Sequence, residues 1–104
     1  MARTPIHPGE ILAEELDAIG VRPTELSRQF RIPANRISQI INGKRAITGN
    51  TALRLAHRFG TIPQLWMNLQ ALFDVRLAEQ EAGKEIKSLP TKPTKSRADQ
   101  PRPV

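Results

Sequence analysis

The side chains with the clearest chemical purpose lie between Arg22 and Arg45. In a helix, Asn35, Gln39 and Asn42 share one face, with Arg36 and Ser38 at its flanks. Carboxamides can pair with both N6 and N7 of adenine, and arginine with O6 and N7 of guanine. Lys44 and Arg45 follow directly, placed to meet phosphates rather than bases. Ile37, Ile40 and Ile41 occupy the opposite face of the same stretch. A helix laid into a DNA major groove needs this division between polar readers and apolar anchors. The bland alternative is a solvated polar face on a small helical bundle.

Charge weighs against that alternative. The chain carries a formal +6, and eight basic residues against the single acid Glu25 lie between Arg22 and Arg58. The preceding segment is acidic, with Glu10, Glu14, Glu15 and Asp17. A basic block of this kind suits a polyanionic partner. Nothing supports an enzyme. His7 and His57 stand alone, without HExxH spacing or a carboxylate partner on one helical face, and no Ser–His–acid set or glycine-rich phosphate loop occurs. The absence of cysteine removes thiolate chemistry, disulfides and Cys-based zinc sites, so no metal or cofactor is expected. Nowhere do 18 apolar residues run together and the first residues form no signal peptide, so the expectation is a soluble cytoplasmic protein with no membrane contact.

Five helices must position these residues, in an all-α chain. The first starts at Pro8 and ends at Gly20, with Leu12, Leu16 and Ile19 inward. The second runs from Pro23 to about Phe30 and buries Leu26 and Phe30, while Ser27 supplies the small side chain that a helix crossing needs. Arg31-Ile32-Pro33 turns the chain into a third helix of about Ala34–Asn42, stopped by Asn42-Gly43. Thr48 caps a fourth, Gly49–Phe59, expected to bury Leu53, Ala56 and Phe59. The fifth begins at Pro63 and reaches Ala82 or beyond. Its Leu65/Leu69/Leu72 stripe is expected to close the core. A second stripe, Trp66/Phe73/Leu77, is expected to stay exposed and form a two-fold contact. Residues 1–87 thus form one DNA-binding and dimerisation domain. Residues 88–104, with four prolines and few apolar groups, read as a disordered basic tail.

Three segments carry a family resemblance. His7-Pro8-Gly9-Glu10-Ile11-Leu12, Asn42-Gly43-Lys44-Arg45-Ala46-Ile47-Thr48 and Pro63-Gln64-Leu65-Trp66-Met67-Asn68-Leu69-Gln70 occur in order. By these the sequence resembles the HigA-type antitoxins, also called virulence-associated or plasmid-maintenance antidote proteins, within the Cro/cI-like repressor superfamily. The resemblance implies a five-helix lambda-repressor-like domain that binds double-stranded operator DNA as a homodimer and represses its own operon. It also implies neutralisation of a HigB-type toxin, a small basic mRNA-cleaving ribonuclease. Carried over by position, the base readers are Ala34, Asn35, Arg36 and Gln39. The Asn42–Arg45 loop and the start of the second helix would hold phosphates.

Two positions depart from the family pattern. Many repressors have glycine where this chain has Arg31, which must accept a positive φ or use another turn. The second helix opens Arg22-Pro23-Thr24 where a polar clamp, often glutamine, is common, so Arg22 or Thr24 must substitute for it. On the first helix, Glu14, Glu15 and Asp17 would suit a basic toxin. The competing functions are a stand-alone regulator without a toxin, and an interaction module whose helix-turn-helix no longer binds DNA.

Overall fold

In the computed structural model, residues 4–92 are described. The expected helices form: α1 (Pro8–Ile19), α2 (Pro23–Phe30), α3 (Ala34–Ile41), α4 (Gly49–Phe59) and α5 (Pro63–Lys87). Their ends follow local chemistry. At the start of α1 the Nδ1 of His7 accepts from the Gly9 N–H at 2.9 Å, and Glu10 Oε2 accepts from the His7 N–H at 3.2 Å. These reciprocal bonds satisfy backbone donors that the first turn leaves open. Thr48 caps α4 through a longer contact to the Thr51 N–H. The end of α3 is a Schellman stop: Lys44 N–H donates to Gln39 O at 2.8 Å and Gly43 N–H to Ile40 O at 3.0 Å. Gly43 takes the left-handed conformation this requires, φ 74°. Asn42 is therefore the cap of α3 rather than its last residue.

α2 ends in the same motif without glycine. Ile32 N–H donates to Ser27 O and Arg31 N–H to Arg28 O, with Arg31 at φ 58°. Of the two options open from sequence, the chain takes the positive φ. A left-handed residue with a Cβ costs about 1–2 kcal/mol, part of which glycine returns as chain entropy. Arg31→Gly is accordingly expected to raise stability by about 0.5–1 kcal/mol, a gain of several degrees in melting temperature. A lowered melting temperature would show that Arg31 makes contacts worth more than its strain.

The core gathers Leu12 and Leu16 of α1, Leu26 and Phe30 of α2, Ile37 and Ile40 of α3, Ala52 and Leu55 of α4, Trp66 of α5 and the loop residue Ile47. Helices α2 and α3 pack on each other, α1 crosses α3, and α5 closes against α4 and α1. Three expectations are corrected. Ile19 is 45% exposed and lines a surface groove with Phe59 and Leu65, while Leu16 in the same turn is buried. Leu53 is 62% exposed, and Ala52 and Leu55, one turn apart at i and i+3, take the inward places. The third correction concerns α5. Trp66, assigned to an exposed stripe, is 2% exposed inside the core, while Leu65 and Leu72, assigned inward, are 44% and 45% exposed. Phe73 and Leu77, two and three turns beyond Trp66, are half-buried, and Leu69 packs on the core as expected. The rotation of α5 is pinned one turn after Trp66. There the buried Gln70 accepts the Ile47 N–H at 2.8 Å and donates to Asp74 Oδ1 at 3.0 Å.

The expected tail, 88–104, lies outside the described residues from 93 onward.

Candidate nucleic-acid interface

Helices α2 and α3 meet at Ser27, which is buried; its Oγ lies 3.0 Å from Pro23 O and 3.4 Å from Ala34 O. A larger side chain there would push the first turn of α3 away from α2. That contact, with Ile37 and Ile40 sunk in the core, fixes the rotation of α3. Ala34, Asn35 and Asn42 are exposed along it, and Arg36, Ser38 and Gln39 are half-exposed. The Schellman stop then delivers Lys44 and Arg45, both exposed, just beyond the last turn.

One link within this set was not expected from sequence. Arg45 Nε donates to Gln39 Oε1 at 2.9 Å. The bond engages the carboxamide oxygen of Gln39 and leaves its Nε2 as the donor available for an acceptor such as N7 or O6 of a purine. It also orients the Arg45 guanidinium, whose Nη groups remain to meet phosphate oxygens. At the start of α2, Arg22 is the cap residue but makes no side-chain capping bond, and both it and Thr24 are exposed. They therefore sit at a helix N-terminus with unclaimed backbone donors, a setting that favours anions.

Two cations of the basic block are engaged within the fold. Arg54 Nη1 donates to Phe30 O at 2.6 Å, and its Nε to Asn50 Oδ1 at 2.8 Å. Arg58 Nε donates to Gln29 Oε1 at 3.0 Å. These two arginines brace α4 against the end of α2 and so hold the helix-turn-helix from behind. On α1, Glu14, Glu15 and Asp17 are exposed. Glu15 borders an apolar groove of about 570 Å³, lined by Ile11, Ile19, Phe59 and Leu65 among others.

Sequence reasoning missed two supporting residues. Gln70 ties the loop after α3 to α5, and its signal was a carboxamide set between Leu69 and Ala71 in the apolar part of the helix. Gly9 is buried with its Cα face against the Ile40 carbonyl, and no signal beyond its place between Pro8 and Glu10 could have shown that. Among the described residues, no group of three or more His, Cys, Asp or Glu could hold a metal ion, and no helix is long and apolar enough to cross a membrane.

Comparison with known proteins agrees with this geometry. Residues 12–65 match the Helix-turn-helix family. Over 77 residues the chain is 43% identical to virulence-associated protein I of Dichelobacter nodosus, a match covering 73% of this chain and 71% of that protein. A solved addiction module antidote protein of the HigA family from Coxiella burnetii superposes with a TM-score of 0.84 at 47% identity, covering 86% of this chain and 99% of that one. The Pseudomonas aeruginosa antitoxin HigA, solved with the higBA promoter, superposes with a TM-score of 0.78 at 38% identity, covering 81% and 92%. With the outward polar face of α3 and the matched core around it, these likenesses place the chain in the helix-turn-helix family of DNA-binding regulators, among the HigA antitoxins.

Proposed function

We propose that the protein is the antitoxin of a type II toxin–antitoxin module: it binds operator DNA as a homodimer, represses its own operon, and neutralises a HigB-like mRNA-cleaving ribonuclease. The observation that carries this is the face of α3. Asn35, Arg36 and Gln39 stand outward for bases, and a rigid stop presents Lys44 and Arg45 for phosphates. The Pseudomonas aeruginosa relative, solved with its promoter, supports the same use of the fold. In this assignment Ala34, Ser38 and Asn42 complete the groove surface, and Arg22 and Thr24 hold the backbone at the start of α2. The site has no catalytic part, and the protein acts in the cytoplasm, where the DNA lies.

The two-fold contact is proposed along α5. Trp66 cannot take part from within the core. The exposed Leu72 and Val75, flanked by Phe73 and Leu77, offer the apolar surface instead. A dimer through this helix would set two copies of α3 about 34 Å apart, one turn of DNA. The toxin is assigned to α1, where Glu14, Glu15 and Asp17 complement a basic partner beside the apolar groove. Co-expression with any HigB-like ribonuclease encoded beside its gene tests the assignment. Growth should be restored by the wild-type chain and much less by Glu14→Lys/Asp17→Lys. Full rescue by the reversed variant would remove α1 from the toxin contact, and no rescue by the wild type would leave a stand-alone regulator.

A further inference from the structure

His7 does more than cap a helix. Its ring lies at the meeting point of three elements. On one side Nδ1 accepts from the Gly9 N–H in α1. On another the ring faces Gly43: a Cβ built on that glycine would lie 3.8 Å from His7 Cγ and 3.9 Å from Cδ2. On the third side the ring meets Phe73 of α5 edge-on, centroids 4.8 Å apart and planes at 72°. The imidazole therefore fills the space between the phosphate-facing loop and the helix assigned to the dimer contact, and it is buried there.

We propose that His7 is a positioning residue for DNA binding, whose neutral ring holds the Gly43–Arg45 loop in its phosphate-contacting geometry and ties that loop to α5. The proposal rests on the assignment of Lys44 and Arg45 to phosphates. Its chemistry is that of a single tautomer. A ring that accepts at Nδ1 must carry its proton on Nε2. A second proton would turn Nδ1 into a donor facing the Gly9 N–H, and the cap and the loop support would be lost together.

The charged groups around the ring act in both directions. Burial lowers the pKa of His7 below the usual 6.5, while Glu10 of α1, Asp74 of α5 and the Arg45 backbone pull it upward less strongly. The folded protein thus favours the neutral ring. The unfolded chain binds the extra proton more readily, so stability rises with pH. The contribution is complete above pH 6.5 and is lost progressively as pH falls from there toward the folded value. Operator affinity should weaken over the same window.

His7→Asn separates positioning from capping. Asparagine is among the best N-cap residues and can accept from Gly9, but it lacks the ring that reaches Gly43 and Phe73. The variant is expected to fold, to bind operator about tenfold more weakly, to show a salt slope reduced by about two per dimer, and to lose the acid-side fall in affinity. Affinity, salt slope and pH profile all equal to the wild type would overturn the proposal. A wild-type protein that binds no operator at all would instead overturn the DNA assignment on which it rests. Should the variant fail to fold, NMR titration of the wild-type chain decides. The amides of Gly43, Lys44 and Arg45 and the ring of Phe73 are expected to titrate with the His7 imidazole, below pH 6.5. Loop amides that ignore the His7 titration would reject the link.

Discussion

Gly9→Ala is expected to destabilise the protein by about 3 kcal/mol, the upper end of ordinary overpacking and roughly 15 °C in melting temperature for a domain this size. A Cβ at this buried position would fall inside the Ile40 carbonyl group, and that neighbour is backbone, unable to rotate away. The effect should reach the DNA surface as well. Ile40 O is the acceptor for the Gly43 N–H in the stop that delivers Lys44 and Arg45. Helix α3 must shift to admit the methyl group, and the stop must shift with it. Thermal unfolding followed by circular dichroism measures the first effect, and operator binding well below the melting temperature measures the second. A variant within a few degrees of the wild type would mean that α1 and α3 separate at little cost.

The second large effect distinguishes the two faces of α5. Trp66→Ala should cost about 3–5 kcal/mol, as expected for an aromatic group removed from a packed core. Leu72→Ala, on the exposed face, should cost the monomer about 0.5 kcal/mol or less. Leu72→Asp should leave the fold intact and dissociate the proposed dimer in sedimentation. The opposite ranking, a costly Leu72 and a dispensable Trp66, would restore the stripe assignment made from sequence. The indole Nε1 is buried without a hydrogen-bond partner. Trp66→Phe therefore removes an unsatisfied donor along with some apolar area and should be much milder than Trp66→Ala.

The contrast between α3 and α5 explains what was legible in the sequence. Helix α3 carries isoleucines on one side and amides and arginine on the other, so its rotation follows from the pattern alone. The helix boundaries were equally clear, because proline at or just before four of the five starts, Thr48 before α4, and glycine after α1, α3 and α4 are local signals. Helix α5 offers Leu65, Trp66, Met67, Leu69, Leu72, Phe73, Val75 and Leu77, apolar groups on nearly every side. Periodicity cannot choose among them. The choice is made by one polar bond, Gln70 to the Ile47 N–H, between segments 23 residues apart. On α4 the core takes Ala52 and Leu55 rather than Leu53, a choice that apolar character alone does not make. In the candidate site, the residue types and their face were visible. The Arg45–Gln39 bond and the support of the loop by His7 were not, because each joins side chains through a turn whose geometry the spacing does not reveal.

The division of labour within the interface is the centre of the account, and titration of labelled DNA tests it most directly. The duplexes are the region upstream of the protein's own gene and a random sequence of equal length, each at two salt concentrations. The wild-type chain should prefer its own upstream DNA. Gln39→Ala should lose about 1–3 kcal/mol, roughly 5- to 150-fold, on that DNA and little on the random duplex. Lys44→Ala should weaken both duplexes alike and lower the salt slope. Equal losses on both duplexes for both variants, or no preference by the wild type, would contradict the assignment of α3 to bases and of the following loop to phosphates.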